Sequence, residues 1–162
     1  MPESLSTTPQ PYWSAPGASL YLGDVRECLR RLPARSVHCA VTSPPYWGLR
    51  DYETAMLSWA DGAMCSLGLE PTPQLYVDHL VTIFHEVRRV LCDDGIVWLV
   101  LGDCYYSGDQ EGLKDKDLVG IPWQVAFALR DDGWYLRSDV IWAKAHEFCP
   151  GGVGSVMPLG GK

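Results

Sequence analysis

The chain has no cysteine pair in Cys-x-x-Cys spacing, no apolar run approaching membrane-spanning length, no Gly-Lys-Ser or Gly-Lys-Thr loop and no Gly-x-Ser-x-Gly turn. Each absence closes a class. The six cysteines, Cys28, Cys39, Cys65, Cys92, Cys104 and Cys149, are scattered without ligand spacing. They read as free thiols of a reducing compartment, not as a disulfide frame or a metal site. A spanning helix needs a longer apolar run than any present. A phosphate loop of the nucleotide hydrolases needs the missing Gly-Lys-Ser/Thr step. None of the four histidines accompanies a strand-end serine on a sharp glycine turn, so a hydrolytic triad has no carrier. Basic residues are also scarce: Lys and Arg total 13 against 20 Asp and Glu, a formal charge of −7 with a pI near 4.9. Nucleic-acid affinity rests largely on phosphate neutralisation, so this chain alone is expected to grip DNA or RNA poorly. The opening residues, MPESLSTTPQPYW, lack the basic start and apolar core of a signal peptide, and a cytoplasmic location is expected.

What is present is ordinary globular composition, 47% hydrophobic and 20% charged over 162 residues, enough for one domain with a core. Residues 1–18, rich in Pro, Ser and Thr, are expected to form a flexible arm. Leu20 to Leu22 read as a short buried strand ending at Gly23 and Asp24. Val25, Cys28, Leu29 and Leu32 then fall on one face of a short helix stopped by Pro33. Ser36 to Val41 read as a second strand, which makes strand, helix, strand, the crossover unit of a parallel sheet. Residues 47–74 look like a long connection, uncommon in a compact domain unless it has a task. The segment PTPQLYVDHLVTIFHEVRRVL carries Leu80, Ile83, Phe84, Val87 and Leu91 in one stripe and predicts the longest helix. CDDG closes it, and Ile96 to Tyr106 reads as a strand covered on both faces. Pro122 suits the first turn of a helix running to Gly133, and Trp134 to Lys144 reads as one more strand. Trp98, Trp123 and Trp142 are expected in the core. The glycine-rich tail, 149–162, receives no structure. The alternation predicts an α/β fold with an open, mostly parallel sheet.

Such sheets bind ligands outside the carboxyl ends of their strands. Asp24, Thr42 to Tyr46 and Asp103 all fall at those ends. The stretch TSPPYWGLRDY, Thr42 to Tyr52, is the most distinctive. Two prolines fix φ and carry no N–H, which leaves the carbonyls of Ser43 and Pro44 free to accept from a ligand. Tyr46 adds a flat face beside them. Acceptors next to a ring suit a planar molecule bearing an amino group. Asp24 is equally suited to capping the helix that follows it, and Asp103 to forming a turn. Trp47, Arg50 and Asp51 are either a packed loop or contacts to a base or DNA.

TSPPYW resembles the catalytic motif of the amino-methylating DNA methyltransferases, which methylate cytosine N4 or adenine N6. The likeness continues in three ordered blocks: LYLGDVRECLRRLPARSVHCAVTSPPYWGLRDY, LGLEPTPQLYVDHLVTIFHEVRRVLCDDGIVWLVLGD and KDLVGIPWQVAFALRDDGWYLRSDVIWAK. They span residues 20 to 144. The resemblance implies a partial Rossmann-like, S-adenosylmethionine-dependent methyltransferase fold, with double-stranded DNA as substrate, and a place in restriction-modification. It implies a flipped base stacked on Tyr46, its exocyclic amine bonded to Ser43 and the Pro44 carbonyl, with Pro45 completing the catalytic turn. Ser at the first motif position favours N4-cytosine over N6-adenine. By the same resemblance Asp24, Thr42 and Asp103 border the cofactor.

The family's cofactor glycine turn, Phe-x-Gly-x-Gly, is not found in this sequence, and PGGVGS fails the contextual tests for a nucleotide loop. The expected organisation is therefore an arm (1–18), the catalytic half of a methyltransferase domain (19–148) and a non-family tail (149–162). In this expectation an internal segment is lost near Ala145 and the frame soon after Phe148. The cofactor half would otherwise lie on a second chain. The alternative reading is an inactive truncated remnant, or half of a split enzyme, acting as a binding module.

Overall fold

The computed structural model describes residues 10–108 and 112–142. The first nine residues, Ala143 and Lys144 of the last expected strand, and the tail at 149–162 lie outside the described residues.

The expected crossover from Leu20 to Leu22 through a helix into a parallel second strand is not formed: among the described residues the first strand belongs to a separate hairpin, and the parallel partner of the second lies beyond the longest helix. Trp13–Ala15 (β1) and Ala18–Leu20 (β2) pair as an antiparallel hairpin, turned at Pro16 and Gly17, whose φ of 80° suits glycine. Leu20 to Leu22 are exposed, so the buried first strand is corrected to the outer arm of this hairpin, and the arm expected to residue 18 holds β1. Val25–Arg30 (α1) starts where Asp24 accepts from the Arg26 amide at 2.9 Å. Val37–Thr42 (β3) then pairs in parallel with Leu91–Leu99 (β6), matching Ala40 with Val97, Val41 with Trp98 and Thr42 with Leu99. β6 begins earlier than expected because Leu91 already pairs with Val37. A register shift before Cys39 and Ile96 absorbs the CDDG segment.

Between these strands, the long connection has structure of its own. Leu57–Ser58 (β4) and Met64–Cys65 (β5) form a small antiparallel hairpin that lays Trp59 into the core. Pro73–Val90 (α2) follows. Its cap is Thr72, whose hydroxyl accepts from the Leu75 amide, and Pro73 occupies the first turn, where its missing N–H costs nothing. The predicted stripe of Leu80, Ile83, Phe84 and Val87 is buried, each side chain contributing roughly 1.5–3 kcal/mol on removal from water. At the other end Arg89 donates to the carbonyls of Leu29 and Leu32, satisfying groups that the end of α1 leaves open. Ile121–Asp131 (α3), with Pro122 in its first turn, packs on α2.

The core lies between the helices and one face of the sheet. Ala40, Val97 and Leu99 pack against it, whereas Val41, Ile96 and Trp98 on the opposite face are 73%, 51% and 54% exposed. The expectation that β6 is covered on both faces is thus corrected: among the described residues, helices cover one side only. Trp98 leaves the expected core for this reason. Trp123 is half exposed on the outer side of α3, and Trp142 is exposed on an extended segment. That segment, the described part of the expected Trp134 to Lys144 strand, has no ladder partner among the described residues and forms no strand. Only Trp134 at its start packs inward, edge-on to Phe84 at 6.3 Å between ring centres.

Candidate functional site

β3 ends at Thr42, whose carbonyl accepts from the Val100 amide at 2.9 Å, the last rung of the ladder. Beyond it the two prolines have no N–H to continue pairing, and the chain turns away from the sheet. Ser43 is exposed. Neither its hydroxyl nor the carbonyls of Ser43 and Pro44 accept a hydrogen bond from any described residue. The Pro45 carbonyl, by contrast, accepts from the Tyr76 hydroxyl at 2.8 Å. Tyr76 is fully buried in α2, and burial pushes its phenol pKa up, so it remains a protonated donor at neutral pH.

Tyr46 is half-buried, with its ring against the backbone of Gly102, just past β6. A Cβ at Gly102 would stand 2.6 Å from the ring's Cδ2, so only glycine admits the ring there. The opposite side of the turn is braced by the 66–70 segment. The Gly48 amide donates to the Gly68 carbonyl at 2.9 Å, and the Trp47 indole donates to the Glu70 carbonyl at 2.9 Å. Gly68 (φ 93°) lies so close that a Cβ would meet Pro45 Cβ at 3.1 Å and the Tyr46 carbonyl at 3.2 Å. Trp47 thus belongs to the packed loop. Arg50 lies over the Tyr52 ring at 5.7 Å, and Asp51 accepts from the Glu53 amide.

The two carboxylates expected at strand ends have structural partners. Asp24 caps α1 and also receives Arg26, whose Nη2 donates at 2.6 Å; these Arg26 bonds hold its pKa below the usual carboxylate value. Asp103 accepts from three backbone amides: Cys104 at 2.9 Å, Gly120 at 3.0 Å and Ile121 at 3.1 Å. It thereby does for α3 what the cap residue, Gly120, has no side chain to do. Thr42 and Asp103 lie at and past the carboxyl ends of β3 and β6, whereas Asp24 follows the separate β1–β2 hairpin; of the three only Thr42 has a side chain unengaged by described residues.

Behind the turn lies a group that the sequence did not announce. Glu70 and His79 are buried, with Glu70 Oε1 2.9 Å from His79 Nδ1 and Asp61 Oδ2 3.1 Å from Nε2. Trp59 stacks flat on the imidazole at 3.7 Å, and its indole donates to the Cys65 carbonyl. Cys65, expected as an isolated thiol, offers its sulfur within 4.8 Å of Glu70 and His79 ligand atoms. Both imidazole nitrogens already face carboxylates, so hydrogen bonds within the chain close this cluster. Burial pushes the Cys65 thiol pKa up. No local spacing could have revealed the group, since its members come from the β4–β5 turn, β5, the following loop and α2.

The described residues thus form an α/β protein with a stiff, acceptor-rich corner and an aromatic face at the carboxyl end of its parallel strand pair, where open α/β sheets place their ligands. The family model described as DNA methylase matches residues 37–155, and the chain belongs to that family. It is 48% identical to the type II methyltransferase M.Cfr9I of Citrobacter freundii and 49% identical to M.XycI of Xanthomonas campestris pv. cyanopsidis, each match covering 79% of this chain and 47% of the relative. M.SmaI of Serratia marcescens is 43% identical over 77% of this chain and 47% of its own length. The chain spans about half the length of these relatives. The family is that of the amino-methylating DNA methyltransferases, enzymes of DNA methylation, as the Thr42 to Trp47 motif implies.

Proposed function

We propose that this chain supplies the target-base half of a site-specific DNA methyltransferase of a restriction-modification system. S-adenosylmethionine would be the donor, and the exocyclic amine of a base flipped from double-stranded DNA the acceptor, with cytosine N4 favoured over adenine N6. The single observation that carries this reading is the corner at Ser43 to Tyr46, where unsatisfied acceptors stand beside a half-buried ring seated on Gly102.

In this reading Tyr46 stacks on the base, and Ser43 Oγ with the Pro44 carbonyl accepts from the amine. Those bonds orient the nitrogen lone pair, so the chain acts by positioning. Pro44 and Pro45 keep the acceptors from swinging into the ladder. The cofactor supplies the methyl group. The residues present fit the cofactor only in part: Thr42 offers a hydroxyl at the strand end, while Asp24 and Asp103 are engaged by backbone and Arg26. Asp24 and Asp103 therefore border it chiefly through the turns they fix. Remaining contacts would come from outside residues 10–142, on a second chain or in further sequence of a Rossmann-like domain of which 19–148 is one part. The uncovered sheet face of Val41, Ile96 and Trp98 supports that incompleteness. No helix among the described residues is long and apolar enough to cross a membrane; a cytoplasmic location is part of the proposal.

The test is transfer of tritiated methyl to mixed-sequence duplex DNA by this chain, alone and mixed with the segment of the Citrobacter freundii relative that it does not match. Transfer that disappears with Tyr46→Ala or Ser43→Ala is expected. A folded mixture with no transfer would leave the second reading, a non-catalytic interaction module, which the same uncovered face favours.

A further inference from the structure

We propose that Glu70 and His79 form a buried positioning pair that holds the Thr42 to Tyr46 corner in its base-receiving shape; the inference rests on the base-binding reading of that corner. Glu70 is placed to do this because its atoms reach in three directions. Oε1 faces the His79 ring at 2.9 Å, Oε2 accepts from the Gly68 amide at 2.8 Å, and its backbone carbonyl accepts from the Trp47 indole at 2.9 Å. Gly68 in turn accepts from the Gly48 amide and packs against Pro45 and Tyr46. One side chain thus ties the loop that flanks the corner to helix α2, from which Tyr76 also reaches the Pro45 carbonyl.

The pair is shielded and completed on its far side. Trp59 covers the imidazole face, and Asp61 receives the other ring nitrogen. A neutral glutamine would keep the bond to Gly68 but withdraw the carboxylate from His79, and alanine would withdraw both. A generic core pair would stabilise the domain as a whole. A positioning pair fixes the loop and the corner, which carry the stacking ring.

The test reads hydrogen exchange at the Gly48 and Gly68 amides and the Trp47 indole, with the Leu80 and Ile83 amides of α2 as internal reference. In Glu70→Ala the three loop protons are expected to exchange about tenfold faster, less so in Glu70→Gln, with the α2 amides unchanged. Should Glu70→Ala fail to fold, His79→Gln carries the same expectation. Unchanged loop protons, or a uniform loss that includes α2, overturns the proposal. The second readout is fluorescence of 2-aminopurine placed at each position of a duplex in turn, under saturating protein. Glu70→Ala should lower the plateau severalfold with little change in Kd. A chain that leaves 2-aminopurine dark at every position, while Glu70→Ala still frees the loop protons, overturns the base-binding reading and leaves the pair's role in the loop standing.

Discussion

Tyr46 and Tyr76 divide one task between them: Tyr76, buried, holds the Pro45 carbonyl, and Tyr46 presents its ring beyond it. Tyr76→Phe removes the donor and leaves that carbonyl short of a partner, a cost of about 1 kcal/mol expected as a lower urea midpoint. Gly102→Ala acts on the other side. Its Cβ cannot share space with the Tyr46 ring, so the ring is driven off its seat, and the expected result is about 1–3 kcal/mol of destabilisation by urea titration together with loss of the 2-aminopurine signal. Asp24 gives a pH-dependent prediction. Its carboxyl lies below the ordinary value of 3.8 because Arg26 donates to it and anchors the α1 cap. A depressed folded-state value contributes stability that is complete above the ordinary value and lost as pH falls through the lowered one. Acid loss of α1 should therefore begin at higher pH in Arg26→Ala, followed by the Asp24 carboxyl resonance and helical circular dichroism. At this scale the sequence singled out Ser43 to Tyr46, Asp24 and Asp103. It was silent on Glu70, His79, Tyr76 and Gly102, whose importance arises only from what they touch.

Among the elements, α3 is the one whose start depends on a distant residue. Gly120 cannot cap it, and Asp103 does so across the strand end. Asp103→Ala should cost about 1–2 kcal/mol and fray α3 first, whereas Asp103→Asn, which keeps an acceptor, should cost less; hydrogen exchange of the Val125 amide reads the difference. α1, α2, α3 and β3 follow from periodicity and breakers close in the chain, whereas β6 as the parallel partner of β3, in place of the Leu20 to Leu22 segment, does not. The small β4–β5 hairpin escaped because two-residue strands carry no periodic signal. Of the expected strands Leu20 to Leu22 and Trp134 to Lys144, Tyr21, Leu22 and the described residues Trp134 to Trp142 misled for a different reason. Apolar composition marks a segment that can pair, and pairing still requires a neighbouring strand.

Among the described residues the sheet is covered on one side only, and the chain carries a formal net charge of −7. Replacing Ile96 and Trp98 together by lysine should leave the urea midpoint within about 0.5 kcal/mol of the parent, since both side chains already meet water. The same change should prevent the unmatched segment of a relative from restoring methyl transfer. What the sequence alone determined was the three helices, the strand that leads into the proline corner, that corner and the family, because these depend on residues near one another along the chain. Which faces are covered, which carboxylates are engaged and what braces the corner were decided by the tertiary structure. Burial and hydrogen bonding depend on which distant segments meet, as Asp61, Glu70 and His79 do behind Tyr46, and no local pattern records that meeting.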